Sequence, residues 1–311
     1  MVVTATASTQ PQRPNADTAP DQAPLRLWAT EQASATRRFA PERLRRYLAR
    51  GSADVLGWLE PTDALITRVL ADLQTQSGHR GGVGEIGVHH GKLFILLYLV
   101  LHVGERAFCI DVFEAQELNP DGSGHGDEPT LRRNLLAHAG SLADIEMLRG
   151  NSADMSAGQI LAATGPVRLF SVDGGHSAEL AYNDLCLADA TLAPHGVILL
   201  DDYFEREWPG VSDGTQQFLR ERRPDLVPFA IGLNKVYFCR PPLAQHYGEA
   251  VRATCADLFL RRAALLGAPV DIYVDGRNRL QARVAATPLW LAIRTTPLGH
   301  ALRRVWHLVR R

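Results

Sequence analysis

Val167-Arg168-Leu169-Phe170-Ser171-Val172 runs into Asp173-Gly174-Gly175-His176, and Val197-Ile198-Leu199-Leu200 runs into Asp201-Asp202. Both apolar runs have the length and composition of buried strands, and both stop at carboxylates. In a parallel α/β sheet the carboxyl ends of the strands form the edge where ligands bind. Three carboxylates and an imidazole at that edge would offer hard oxygen ligands to a divalent cation and an acceptor for a proton.

Working outward, the pattern from residue 81 alternates strand with helix. Strands are expected at Gly82–Ile86, 106–110, 145–148, Val167–Val172 and 197–200, with a closing antiparallel pair at Val227–Ile231 and 235–239. Helices are expected at 92–103, 130–139, 155–164 and 178–192, preceded by one starting at Pro61-Thr62-Asp63 and reaching Gln76. Such alternation predicts an α/β fold with a doubly wound, mostly parallel sheet, here of seven strands, carrying N-terminal helices and a C-terminal helical extension. The Thr-, Ala-, Gln- and Pro-rich residues 1–25 read as disordered, 26–60 as a helical lid, 61–240 as the main domain and 241–311 as a largely helical extension reaching about Leu266 before an apolar piece at 270–274.

Composition excludes little but is consistent with this picture. The chain is 46% hydrophobic and 22% charged with a net charge of −1, so no global charge argues for nucleic-acid binding. Its two lysines are Lys92 and Lys235. Cys109, Cys186, Cys239 and Cys255 form no C-x-x-C pair and read as buried free thiols in a reducing, cytoplasmic setting. The N-terminus has no signal-peptide pattern, and the apolar run from Leu93 to Val103 is too short to span a bilayer.

Between the first strand and its helix stands Glu85-Ile86-Gly87-Val88-His89-His90-Gly91. Glycines there let the backbone turn sharply and approach a ligand. A Walker A loop needs four residues between its glycines and then Lys-Ser/Thr, whereas Gly87 and Gly91 are separated by three and Lys92 precedes Leu93. A dinucleotide fingerprint forced onto Gly82, Gly84 and Gly87 lacks the strand that must precede it. What remains, Glu85-x-Gly87-x-x-x-Gly91, resembles motif I of the class I S-adenosylmethionine-dependent methyltransferases. That resemblance implies an acid ending the second strand to hold the ribose hydroxyls, and Asp111 stands there. It also implies cofactor contacts from Glu85, Gly87, His89 and Gly91, and an adenine contact after the third strand, assigned to Ser152.

The stretch 55–240 resembles, more narrowly, the metal-dependent sugar O-methyltransferases of the macrocin and mycinamicin type. The matching pieces are Glu85 through Lys92, Val172-Asp173-Gly174-Gly175-His176-Ser177, Asp201-Asp202-Tyr203 and Asn234-Lys235-Val236-Tyr237. Carried over, Asp173, Asp201 and Asp202 are expected to bind magnesium. A sugar hydroxyl is a poor nucleophile, and a cation on that oxygen favours alkoxide character. Its proton needs an acceptor within hydrogen-bond reach: His176 is the first choice, Asp173 the second, and the sequence leaves both open.

The expected activity is therefore a magnesium-assisted O-methyltransferase acting on a sugar, glycoside or glycosylated natural product. The competing readings are a non-catalytic binding subunit of a glycan-assembly complex and an NAD-dependent enzyme. The glycine-rich insertion 112–128 reads as a lid, with Gln116, Asn119 and His125 within reach of a polyol. Of His89 and His90, one is expected to line the cofactor pocket and the other to pack. Trp208 could wall the acceptor site. The basic, amphipathic tail 297–311 is expected to dock on its own chain or on a second copy, and less so on a membrane surface.

Overall fold

The computed structural model describes residues 36–276 and the isolated positions 287, 292 and 296. The expected disordered segment 1–25, the start of the helical segment 26–60 and the basic tail 297–311 lie outside the described residues.

The elements are α1 (Pro41–Ala49), α2 (Pro61–Gln76), β1 (Gly82–Ile86), α3 (Lys92–Leu99), β2 (Ala107–Asp111), α4 (Glu128–Ala139), β3 (Ile145–Arg149), α5 (Ala157–Thr164), β4 (Val167–Val172), α6 (Ala178–Thr191), β5 (Leu192–Leu200), α7 (Pro209–Arg222), β6 (Val227–Ile231), β7 (Val236–Cys239), α8 (Pro241–Thr254), β8 (Phe259–Leu265) and β9 (Ala268–Tyr273). Local chemistry sets many of the helix starts. Proline occupies the first turn of α1, α2, α7 and α8, where no amide partner is lost. Asp127, Ser156 and Ser177 cap α4, α5 and α6 through their side-chain oxygens.

The strands form one sheet in the order β3-β2-β1-β4-β5-β7-β6-β9-β8. The strands β1 to β5 are parallel, and β7 runs antiparallel between β5 and β6. This is the doubly wound sheet expected, with nine strands rather than seven. The two extra strands come from the segment read as helix: α8 ends at Thr254, and 259–273 folds into a hairpin whose β9 lies parallel to β6.

Alternate strand residues feed opposite layers. Leu169, Val197 and Leu199 join Ile66, Leu70, Phe94 and Leu97 in one core, under α1 to α4 and α8. Phe170, Val172, Ile198 and Leu200 join Ile160, Leu185 and Phe218 in the other, under α5 to α7. The sheet order reverses between β1 and β4, which opens a crevice at their carboxyl ends. Among the described residues no helix is long and apolar enough to cross a membrane.

Candidate active site

A cavity of about 670 Å³ opens at that crevice, lined from the ends of β1 and β2, from the residues that follow β3, β4 and β5, and from the segment before α2 and the turn between β6 and β7. Its size suits a small ligand or cofactor.

One end is built on the glycine loop. Gly87 has φ +81°, and a Cβ there would stand 1.6 Å from the Asp173 carbonyl oxygen. The turn can therefore pass this close to β4 only with glycine. Gly91, at φ +88°, starts α3. Asp111, at the end of β2, ties the loop down: its Oδ2 accepts from the His89 amide at 2.8 Å and its Oδ1 from the Phe113 amide at 2.7 Å. The Val88 amide is a third backbone donor to this carboxylate, which still has accepting capacity to spare. Burial pushes the Asp111 carboxyl up, against the backbone amides that favour its charge. Glu85 is 2% exposed and its Oε2 has no partner, although it lines the cavity. Burial pushes it up to about 8, against the pull of Lys235. A buried carboxylate oxygen left unpaired is costly and points to a missing donor. Ser152 lines the same cavity and is buried. His89 also lines it, beside Trp58, while His90 is turned toward Asp127 with Nε2 to Oδ2 at 3.1 Å. The Glu85 orphan, the glycine cradle and the Asp111 lone pairs together fit an adenosyl cofactor with an ammonium group.

The other end holds the acids. Asp173, His176 and Asp202 each offer a ligand atom, and these atoms lie within 4.8 Å of one another. Asp201 is not in that group. It is buried, and its Oδ2 accepts from Lys235 Nζ at 2.5 Å. Of the expected trio, Asp173 and Asp202 come together while Asp201 meets Lys235, for two reasons. Neighbouring residues at a strand end project to opposite sides, and Asp202 is turned further by a left-handed φ of +57°. The antiparallel register pairs Leu200 with Val236, and one step further sets Lys235 opposite Asp201. The Lys235 ammonium also stands 3.6 Å from Asp173 Oδ2. Burial and the Asp201 charge push Asp173 well above the usual carboxylate range, while Lys235 opposes them.

Asp202 Oδ1 accepts from Asn234 Nδ2 at 2.8 Å, and its Oδ2 lies 3.1 Å from His176 Nε2. Burial alone would raise Asp202, but His176 and Asn234 outweigh it and hold it low. The turn that presents Asn234 and Lys235 is itself clamped. Asp63 of α2 accepts from the Leu233 and Asn234 amides, each at 3.1 Å, and from the Tyr237 hydroxyl.

A fourth carboxylate, Asp121, arrives from the 112–127 loop and lies 2.8 Å from His176 Nδ1. Burial alone would lower His176, but hydrogen bonds to Asp202 and Asp121 outweigh it and raise it. Both candidates for the base, His176 and Asp173, lie within this group. Burial would raise Asp121 too, but Ser123 and His176 hold it down at about 2.

The sequence gives no sign of Asp121 and, although Lys235 stands in a matching piece, none of what it pairs with. Pro120-Asp121-Gly122-Ser123 reads as an ordinary turn, and Lys235 shows its role only through strand register. Gln116 and Asn119 spend their amides inside the loop, on the Phe113 and Ser123 carbonyls, although Asn119 lines the cavity. Trp208 also lines it and stacks on His176 at 4.2 Å.

Residues 85–203 match the family model described as a methyltransferase domain. That segment holds the glycine loop, Asp111, Asp173, His176 and both aspartates that follow β5, on a Rossmann-like fold. No curated protein matches the chain. Among solved structures, the chain is similar to the O-methyltransferase NovP at 16% identity, covering 57% of this chain and 80% of that one with a TM-score of 0.48. It is similar to the calicheamicin methyltransferase CalS11 at 17% identity, covering 72% and 99% with a TM-score of 0.42. The MycE methyltransferase in complex with Mg, SAH and mycinamycin VI aligns at 16% identity, covering 63% and 54% with a TM-score of 0.42.

Proposed function

We propose that this methyltransferase-domain protein uses S-adenosylmethionine to methylate a hydroxyl of a sugar, glycoside or glycosylated natural product, assisted by a divalent cation. The observation that carries this reading is that one cavity holds both the Glu85–Asp111 end and the Asp173–His176–Asp202 end. A donor and an acceptor placed there would meet without water between them, as a direct displacement requires.

When bound, the cofactor supplies an activated methyl group, and a magnesium ion supplies charge that makes a hydroxyl oxygen more nucleophilic. The protein's own residues do the rest. Asp111 and the loop amides orient the adenosyl part. Glu85 meets the ammonium of the amino-acid part. Asp173 and Asp202 would hold the cation, and His176 or Asp173 would take the hydroxyl proton. Exposed Leu56, Trp58 and Leu233 rim the mouth and offer apolar surface to the carbon faces of a sugar or its aglycone.

The direct test is cofactor consumption against a panel of glycosides and polyols, with and without a chelator. Methyl transfer that stops on chelation supports the reading. A protein that binds neither S-adenosylhomocysteine nor magnesium would instead support a binding subunit, and hydride transfer from a nicotinamide would support the dehydrogenase reading.

Two narrower results are expected. Asp111→Ala should weaken S-adenosylhomocysteine binding by about 10- to 100-fold, the loss of charge-assisted bonds worth roughly 1.5–3 kcal/mol, and leave Mn²⁺ affinity unchanged; calorimetry on both ligands checks it. Glu85 gives a pH signature. With its folded pKa near 8 against an unfolded 4.5, the folded chain binds the extra proton between those values. Stability from this group is therefore greatest at low pH and declines as pH rises toward 8. An ammonium placed beside Glu85 favours the carboxylate, so cofactor binding at pH 7 should release a proton. Calorimetry in buffers of different ionisation heat should detect it, and Glu85→Gln should abolish it.

A further inference from the structure

Two lysines line the cavity, and they are held in opposite ways. Lys235 is buried and matched by carboxylates, Asp201 Oδ2 at 2.5 Å and Asp173 Oδ2 at 3.6 Å. Lys92 is half-buried, and its Nζ donates to a neutral group, the Gly57 carbonyl, at 3.0 Å. Among the described residues the ion pairs of these two lysines all belong to Lys235, and no arginine lines the cavity. An ammonium carries three N–H donors, so two remain beside the one given to Gly57.

Lys92 belongs to the cofactor end. It follows Gly91 directly and opens α3. Its own carbonyl accepts from the Tyr47 hydroxyl at 2.5 Å, and the charge of Glu85 adds to the rise that burial gives the Tyr47 phenol. The strap 56–58 lies against the same place. A Cβ at Gly57 would stand 3.5 Å from the Lys92 Cβ and 3.3 Å from His89 Nδ1, and the Trp58 ring lies 5.5 Å from that of His89. Glu85 thus has an oxygen without a donor, and Lys92 has donors without an anion. An amino acid carries an ammonium and a carboxylate on one carbon and answers both. Its carboxylate would take the two free donors in charge-assisted bonds, stronger than those to a neutral carbonyl, without displacing Gly57.

We propose that Lys92 anchors the carboxylate of the cofactor's amino-acid part while Glu85 holds its ammonium, and that the same Lys92 ammonium, through the Gly57 carbonyl, ties the strap 56–58 to that carboxylate. This rests on the S-adenosylmethionine reading above and adds the residue that recognises the anionic pole. Leu56 and Trp58 rim the acceptor mouth, so filling the cofactor end firms the surface that an acceptor meets.

The test is calorimetry on the full chain with two ligands. One is S-adenosylhomocysteine; the other is its decarboxylated analogue, adenosine carrying an aminopropyl thioether, which keeps the ammonium and lacks the carboxylate. Wild type should prefer S-adenosylhomocysteine by about 10- to 100-fold, the weight of hydrogen bonds to a charged group. Lys92→Met should lose that factor toward S-adenosylhomocysteine, bind the analogue as wild type does, and so show no preference. Lys92→Arg, which restores the charge, should recover part of it. In hydrogen exchange, the strap should slow more with S-adenosylhomocysteine than with the analogue, and the difference should vanish in Lys92→Met. Equal affinity of wild type for the two ligands, or a Lys92→Met variant that keeps the preference, overturns the proposal and leaves the cofactor reading in place. A strap that responds equally to both ligands in wild type overturns the tie through Gly57. Wild type that binds neither ligand overturns the cofactor reading and the proposal together. If Lys92→Met unfolds, Lys92→Gln, which keeps a neutral donor for Gly57, decides by the same criteria.

Discussion

Lys235→Met is expected to destabilise the protein by about 3–5 kcal/mol, the usual cost of breaking a buried ion pair by removing one partner. The ammonium is 2% exposed and touches Asp201 at 2.5 Å, with Asp173 at 3.6 Å. Burial alone would lower this lysine, but the two aspartates and Glu85 outweigh it and raise it, so it stays charged across the working range. Methionine fills the space without the charge, and leaves two carboxylates facing each other out of water. One of them must then take up a proton. In a chain of this size the melting temperature should fall by on the order of 10 °C. The double variant Lys235→Met/Asp201→Asn should recover a substantial part of the loss, because the unpaired charge is gone. A single variant as stable as wild type, or a double variant no better than the single, would remove the role given to the pair.

Gly87→Ala should abolish measurable cofactor binding, with affinity down more than about 100-fold, several kcal/mol at 1.4 kcal/mol per tenfold. Two penalties coincide. The residue sits at φ +81°, and its added carbon would lie 1.6 Å from the Asp173 carbonyl oxygen and 2.4 Å from the carbonyl carbon. Those are backbone atoms at the end of β4, so relief requires moving either the glycine loop or the segment that carries Asp173. Gly78→Ala is the control. It has φ +70° with nothing within 4 Å of its Cβ, so it should cost about 1–2 kcal/mol of stability and leave the cofactor site alone. Equal effects of the two substitutions would mean that crowding at Gly87 plays no part.

Much of the sheet could be read from residue order, because buried parallel strands are short apolar runs with clear ends. Gly82–Ile86, Val167–Val172 and Val227–Ile231 fall where expected. The misses have local causes. The helix α7 was not foreseen because Trp208-Pro209-Gly210 and Gly214 look like loop. Its glycines serve close helix packing: a Cβ at Gly214 would meet the Ala178 carbonyl oxygen at 2.2 Å. The hairpin β8–β9 was hidden because its turn is Leu266-Gly267, both left-handed at φ +52° and +81°. That geometry normally announces itself through Asn-Gly or Asp-Gly, and leucine gives no such signal. In the site, the strand-end acids were legible as a group, but their division was not. Which aspartate meets Lys235 depends on pairing between β5 and β7. Which carboxylate meets His176 depends on how a long loop folds back.

The β8–β9 hairpin has one more consequence. It moves the sheet's open border from β6, whose middle residues are buried, to β8, where Arg261 and Arg262 stand exposed. Guanidinium groups along a free border resist the docking of a further strand, since pairing would strip their hydration. The hairpin thus acts as a stopper on lateral growth of the sheet at this border, leaving β3 as the other edge.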